Sequence, residues 1–492
     1  MKIVLEVILF ITGAAGMIFE IAGARVLAPY LGTSLVVWTS LIGIILGSLS
    51  FGYLIGGKLA DRRQDIKVLA AVLGAAAFFV GLTASGKDIF LVLLDSLALT
   101  VNSGSILAAI VLFAPGSAFL GMATPYAVRL KLRSLDKSGG VVGRLYAIST
   151  IGSIAGTFAA GFWLIPYFGT TMVLWVLALI LALTALIISG RRFWIEKISI
   201  LAVASIIFYS GSLAVTAYPG MADVDTAYNR YWIYERDYEG RSIRVIKTDP
   251  FGTQAAVYTD NPDEIVFDYL KFFHVAEHFH PRADRALLVG GGIFTFPRDY
   301  ILRNPDSEMD VVELDGRLID LAREHFYYRD DPRIGVFHED GRIFLNRNKT
   351  VYDHIYLDAF NSHISIPFQL TTREAVQKIH DSLSDDGVVV LNLISAFRGD
   401  KGKFLRAELA TYKEIFPQVF LFAVHKGSDP AERQNLILIA TKKTEKILFY
   451  SDDQEINDSL ENIWTEELDS DLPVLTDDYA PVDFYTKEMM FK

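Results

Sequence analysis

Residues 286–301 read ALLVGGGIFTFPRDYI, and four later segments repeat that plan: MDVVELDGRLIDLARE (309–324), VFHEDGRIFL (336–345), YDHIYLDAF (352–360) and GVVVLNLIS (387–395). Each contains a short apolar run rich in Val, Ile and Leu and bounded by glycine or an acid, the pattern of a strand buried on both faces. The first run ends in Gly290-Gly291-Gly292, the second in Glu313, the third in Asp340-Gly341 and the fourth in Asp358, with helical stretches between. Strand and helix in alternation predict a doubly wound α/β domain that binds its ligand at the carboxyl ends of the strands.

Three successive glycines let the backbone turn sharply and approach a ligand with no side chain in the way. Glu313 stands about 23 residues after Gly290, the spacing at which an acid accepts hydrogen bonds from ribose hydroxyls. Asp340 can accept from an adenine amino group, and Asp358 points into the same crevice. Any one of these acids alone reads equally well as a strand-end cap; their recurrence on consecutive strand ends favours a binding crevice. A nicotinamide cofactor would need G-x-G-x-x-G opening a helix, whereas Phe294 and Pro297 stand where that helix needs small residues. A sulfonium nucleoside, S-adenosylmethionine or its decarboxylated form, fits better.

The chain has 492 residues, room for two or three domains. Its mean hydropathy of +0.33 is concentrated in the first 220 residues, and its net charge of −11 mostly in the C-terminal half. Such an acidic domain is a poor partner for nucleic acid. The absence of cysteine excludes disulfides, thiolate metal sites and cysteine nucleophiles.

Seven stretches have the length and composition of membrane spans, at about 4–28, 36–57, 67–86, 104–126, 143–165, 170–190 and 197–217. The first has no A-x-A-like cleavage site and is followed by further spans, so it reads as a retained helix. Gly43, Gly47, Ser48 and Gly52, and again Gly152, Gly156 and Gly161, supply the small residues that let helices pack closely. Glu20 and Arg25 lie inside the first span and read as a mutual pair, or as Arg25 snorkelling from a helix end. The run GYLIGGKLADRR (52–63) resembles a loop signature of major-facilitator transporters.

Basic residues cluster in three loops: Lys58, Arg62, Arg63 and Lys67; Arg129, Lys131, Arg133, Lys137 and Arg144; and Arg191, Arg192 and Lys197. The positive-inside rule places all three in the cytoplasm. Seven spans would then leave the C-terminal module outside, whereas a donor made in the cytoplasm argues for a module inside. The expectation is a multi-pass protein of the cell (inner) membrane with its catalytic domain in the cytoplasm. That requires one more crossing, for which the amphipathic piece 88–101 is the candidate.

After Tyr218-Pro219-Gly220 the pattern turns to β over 228–260, a small hairpin domain, and a helical segment follows over 264–278. The domains expected are a transmembrane helical domain at 1–220, a small β-rich gating subdomain at 221–281 and a Rossmann-like nucleoside-binding domain of the S-adenosylmethionine-methyltransferase type at 282–492. His274, His278 and His280 have helical spacing but no acid at a matching position, and read as a helix-end face rather than a metal site.

Residues 228–440 resemble the spermidine synthase family, the polyamine aminopropyltransferases, and the whole chain resembles its membrane-fused branch. The resemblance is carried by GTQ (252–254), DE (263–264), GGG (290–292), VVELD (311–315), EDGR (339–342), YDHIYLDAF (352–360) and LTDDYAP (475–481). It implies that Gln254, Glu313 and Asp340 contact the nucleoside, with Gly290, Gly291, Gly292 and Gly341 in the same binding set. It also implies that Asp358 is the catalytic acid and that Phe360 to Phe368 form a gate. The chemistry suits Asp358: an amine attacks the carbon beside a sulfonium, and a carboxylate within reach can hold the ammonium and take its proton. No metal is required.

The sequence also departs from the family. Where the family has GGGDG, this chain has Ile293 and Phe294; where it has Tyr-His-Glu, this chain has Phe267, Asp268 and Tyr269; and the gate reads FNSHISIPF. The nucleoside half is kept and the acceptor half rebuilt, with Asp268, Tyr269, Phe360, His363 and Tyr479 as its candidate residues. The expected reaction moves an aminopropyl group from decarboxylated S-adenosylmethionine to an amine, a polyamine or an amphiphilic one delivered from the bilayer. A homodimer is compatible with this reading. The alternatives are an S-adenosylmethionine-dependent methyltransferase, and a transporter or sensor whose C-terminal module binds polyamine or nucleoside without turnover.

Overall fold

A computed structural model describes residues 2–97, 99–132, 138–189, 221–249, 252–359 and 366–486. The chain divides into two compact units, Met1–Arg230 and Tyr231–Lys492.

Among the described residues of the first unit, six helices are long and apolar enough to cross a membrane. They are α1 (Lys2–Leu31), α2 (Leu35–Arg62), α3 (Ile66–Ser96), α4 and α5 (Val101–Ala108 and Ala114–Lys131, joined by a π turn), α6 and α7 (Ser138–Ala159 and Ile165–Phe168, joined likewise) and α8 (Thr170–Ser189). The expected seventh span, 197–217, lies outside the described residues. The pairs α2/α5 and α1/α6 meet backbone to backbone. A Cβ on Gly52 would stand 2.1 Å from the Ala118 carbonyl oxygen, and one on Gly152 2.2 Å from that of Phe10. A Cβ on Gly43, Gly47 or Gly161, by contrast, would meet nothing within 4 Å among the described residues, so the helices meet at only part of the expected small-residue set.

Two expectations fail in this unit. The segment 88–101 is not a crossing of its own: α3 runs unbroken to Ser96 and α4 begins at Val101. The helix can continue through its charged step because Lys87 and Asp88 pair at 2.8 Å and Arg230 reaches Asp88 at 2.9 Å, so neither charge is buried alone. Arg25 does not pair with Glu20. It donates to the Thr226 carbonyl at 2.6 Å, to the Tyr228 carbonyl and to Asp225 at 3.5 Å. A short strand, β1 (Ala222–Asp225), carries that acid.

From Tyr231 on, the second unit holds the rest of β2 (Arg230–Tyr238), then β3 (Arg241–Lys247) and β4 (Ala255–Tyr258), antiparallel neighbours in sequence order. They fall in the same unit as the larger sheet. In place of one helix over 264–278 come α9 (Asp268–Lys271), a 3₁₀ turn and α10 (Ala276–Phe279).

The larger sheet is built from β5 (Arg285–Val289), β6 (Glu308–Glu313), β7 (Ile334–His338), β8 (Tyr352–Leu357), β9 (Leu383–Ser395), β10 (Gln418–Ala423) and β11 (Gln434–Thr441). Its order is β10-β11-β9-β8-β5-β6-β7. The five strands from β9 to β7 are parallel, and β11 is antiparallel to both β9 and β10. The connecting helices are α11 (Thr295–Arg303), α12 (Arg317–His325), α13 (Gly341–Arg347), α14 (Arg373–Asp381) and α15 (Lys403–Ile415), and two short helices follow, α16 (Gln454–Leu460) and α17 (Val482–Thr486). Leu287, Val289, Ile355, Leu357, Val389 and Leu391 from the central strands are buried together, which accounts for the continuous apolar runs. Strand order reverses between β5 and β8. A crevice opens there at the carboxyl ends of the strands, as such a reversal provides.

Candidate active site

A cavity of about 130 Å³ lies at that reversal, lined among others by Gln254, Tyr269, Gly290–Gly292, Glu313, Asp340, Gly341 and Asp358. The glycines are sterically required. Gly290 has a φ of +99°, and a Cβ there would stand 2.3 Å from the Asp358 carbonyl oxygen. A Cβ on Gly341 would meet the Val289 side chain at 2.6 Å. At both positions the backbone packs so closely against its neighbours that a side chain would clash.

Glu313, at the end of β6, is 7% exposed. One carboxylate oxygen accepts the N–H groups of Gly291 (2.9 Å) and Gly292 (3.2 Å), and the other accepts that of Asp315 (2.9 Å). The acid thus ties the glycine turn to the neighbouring strand, a role that spacing along the chain does not reveal. Burial raises its pKa while the three backbone donors pull it back. Asp340 caps α13, accepting from Arg342 (2.8 Å) and Ile343 (3.1 Å), and its second oxygen takes a bond from Gln369 at 3.3 Å. The side-chain oxygen of Gln254 is buried with no hydrogen-bond partner among the described residues. An unpaired buried acceptor is costly, and a donor group of a bound nucleoside would relieve it. The bare glycine backbone, the strand-end acids and this orphaned acceptor fit a nucleoside in kind.

Asp358 follows β8. It lines the cavity and is half-buried. Tyr269 donates to one carboxylate oxygen at 3.3 Å and Asn392 to the other at 2.9 Å. Asn435 on β11 donates in turn to Asn392 at 3.1 Å. Burial raises the Asp358 pKa, and the bonds from Asn392 and Tyr269 oppose it. For Tyr269, burial followed by the Asp358 charge pushes the phenol well above its usual range, so it acts as a donor and not as a base.

The structure thus gathers Gln254, Gly290, Gly291, Gly292, Glu313, Asp340, Gly341, Asp358 and Tyr269 around one space. Two of the proposed acceptor residues are not in this lining. Asp268 pairs with Lys271 at 2.9 Å on an exposed face, drawn there by a cation one helical turn on. Tyr479 is 57% exposed in a turn closed with Thr476. Phe360 and His363 lie outside the described residues. Asn392 was missed, although its signal was present: one amide in the apolar run GVVVLNLIS, where a buried polar group needs a partner. Ile293 and Phe294 are both buried, and Phe294 takes the left-handed conformation at φ +62°.

His274, His278 and His280 are separately engaged. His274 lies between Asp299 (2.7 Å) and Glu455 (3.2 Å), and His278 meets the Leu448 carbonyl at 2.6 Å. His280 stands 3.9 Å from Asp353.

The cavity residues from Tyr269 to Asp358 fall inside residues 267–425, which match the family model of the spermine/spermidine synthase domain. A polyamine aminopropyltransferase from Vibrio vulnificus is 31% identical over 191 residues, 38% of this chain and 60% of the relative. Another, from Agathobacter rectalis, is 32% identical over 212 residues, 40% of this chain and 73% of the relative. A crystal structure of a probable spermidine synthase from Corynebacterium glutamicum is 23% identical, with a TM-score of 0.41 over 48% of this chain and 83% of that one. With about three quarters of the Agathobacter relative matched at 32% identity, the chain belongs to the spermidine synthase family, the polyamine aminopropyltransferases.

Proposed function

We propose that the protein transfers an aminopropyl group from decarboxylated S-adenosylmethionine to a primary amine, with Asp358 as proton acceptor, and that its six long helices hold it in a lipid bilayer. The observation that carries this reading is the Asp358 carboxylate, oriented by Asn392 and Tyr269 at the wall of the glycine-lined cavity. The nitrogen lone pair of the acceptor attacks the aminopropyl carbon next to the sulfonium. A C–N bond forms, the C–S bond breaks and methylthioadenosine leaves with the electron pair. The proton shed by the acceptor nitrogen passes to Asp358. Gln254, Glu313 and Asp340 hold the nucleoside, and positioning supplies most of the acceleration.

The acceptor is proposed to be an amine with an apolar body. Four acids line the cavity: Glu313, Glu339, Asp340 and Asp358. Glu313 is engaged by backbone N–H groups, Glu339 by Arg347 and Asp340 by the start of α13. With Glu313 and Asp340 assigned to the nucleoside, Asp358, whose partners Asn392 and Tyr269 are neutral, is left to hold one ammonium, and Tyr269, Leu270 and Phe296 add apolar wall. A second ammonium would be desolvated without an acid to meet it.

Purified full-length protein incubated with labelled donors and a graded series of amines tests this. Methylthioadenosine as the product, formed faster with long-chain monoamines than with short diamines, is the expected result. S-adenosylhomocysteine would indicate methyl transfer instead. Donor binding without either product would leave a binding module.

A further inference from the structure

We propose that the chain enters its catalytic unit on the face of the membrane opposite the basic loops, so that the reaction takes place outside the cytoplasm and draws its amine acceptor from there. The six described helices long enough to cross give the bundle two ends. At one end Glu6 meets Lys131 (2.5 Å) and Arg144 (3.0 Å), Arg129 meets Asp61 (3.0 Å), and Tyr126 bonds the Arg63 carbonyl. This end carries Lys58, Arg62, Arg63, Lys67, Arg129, Lys131 and Arg144 among the described residues. At the other end the turns at 32–34, 97–100 and 169 contain no lysine or arginine. By the distribution of basic residues the first end is cytoplasmic.

Residues 221–230 are fixed to the second end. Asp225 accepts the backbone N–H of Thr170, at the start of α8, at 2.7 Å. Arg25, in the last turns of α1, grips Thr226 and Asp225. Arg230 joins Asp88, towards the end of α3, and Asp223 at 2.9 and 2.7 Å. The 20 residues of α8 carry Ser189 about 30 Å from Thr170 at about 1.5 Å per residue. Ser189 and Asp225 therefore stand at opposite ends, and residues 190–220 connect them.

Nothing described after Arg230 is long and apolar enough to cross back. The undescribed stretches beyond it have at most six residues, against the roughly 20 that a crossing needs. The expectation of a cytoplasmic module depended on an extra crossing at 88–101, and α3 occupies that segment as far as Ser96. A donor made in the cytoplasm would have to be exported before this reaction uses it.

The chain has no cysteine, which makes the test direct. Two full-length variants, Gln64→Cys in the basic α2–α3 loop and Asp452→Cys on the catalytic unit, are expressed separately, and intact cells are treated with a membrane-impermeant thiol reagent. Asp452→Cys should label without lysis and Gln64→Cys only after permeabilisation. The reverse pattern, or the two cysteines reporting the same side, overturns the proposal. Protease protection of the unaltered protein gives a second reading. The catalytic unit should be digested in right-side-out spheroplasts and protected in inverted vesicles; protection in spheroplasts also overturns it.

Discussion

Asn392 and Asp358 form a directed pair: the asparagine amide donates to the carboxylate at 2.9 Å, and its own carbonyl oxygen is held by Asn435 at 3.1 Å. The second bond fixes which way the Asn392 amide faces. Burial favours the neutral form of Asp358, and Asn392 works against that by stabilising the ion. Asn392→Leu should therefore lower kcat about 10- to 100-fold, the scale of one hydrogen bond to a charged group. It should also move the acidic limb of the pH–rate profile to higher pH, because a carboxylate deprived of a donor holds its proton more tightly. A fall in rate with no movement of that limb would assign Asn392 a packing role only.

Asp358→Asn keeps the shape and removes the proton acceptor. Turnover should fall by about 10²–10⁴, with donor affinity unchanged within a few-fold by calorimetry. Glu313→Gln should do the opposite, weakening donor binding roughly tenfold. Both carboxylate oxygens now accept backbone N–H groups, from Gly291 and Gly292 on one and Asp315 on the other, so the new amide NH2 would face at least one donor. Near-normal turnover in Asp358→Asn would remove it from the chemistry.

The strand ends were legible because each carries its signal locally: an apolar run, then a glycine or an acid. Gly290, Glu313, Asp340 and Asp358 could be placed around one crevice from spacing alone. What was not legible depends on pairing across distant segments. Asn392 was visible as a lone polar residue, but its bond to Asp358 follows from β9 lying beside β8. Arg25 reads from sequence as a partner of Glu20 or as snorkelling from a helix end; the backbone carbonyls it meets lie about 200 residues away, where local sequence gives no signal. Asp268 reads from sequence as a candidate acceptor residue, but it pairs with Lys271, three residues on.

His274 makes stability depend on pH. Burial alone would lower its pKa, but hydrogen bonds to Asp299 and Glu455 outweigh burial and raise it to about 9. A raised pKa means that the folded chain binds the proton more tightly than the unfolded one. The stabilisation is complete below about pH 6.5 and lost as pH rises to about 9. The thermal midpoint of the detergent-solubilised protein should fall across that window, and His274→Gln should flatten the fall. An unchanged slope in the variant would locate the dependence elsewhere.

Phe294 sets two effects against each other. Its left-handed backbone costs about 1–2 kcal/mol, whereas removing a buried phenylalanine costs about 3–5 kcal/mol. Packing should win, since the ring is fully buried and lies 4.8 Å from that of Tyr328. Phe294→Gly is expected to destabilise by roughly 2–3 kcal/mol, read as a lower unfolding midpoint. A raised midpoint would show that backbone strain outweighs packing.

Ile293 offers no carboxylate to the amine of an aminopropyl group. Discrimination between decarboxylated and intact S-adenosylmethionine at the binding step should therefore be weak, less than about tenfold. Calorimetry with both donors measures it. A preference of 100-fold or more would mean that another acid holds that amine.

The Asp358 carbonyl oxygen stands where a side chain on Gly290 would be, 2.3 Å from the position of its missing Cβ. The glycine turn and the Asp358 backbone are thus braced against each other as one rigid part. Any enlargement at position 290 displaces the acid as well as the nucleoside, so kinetics of such variants will mix binding and chemical defects and cannot be apportioned between them. An engineer, or natural drift, seeking a new acceptor has to leave that brace alone and work from the Tyr269 side of the cavity.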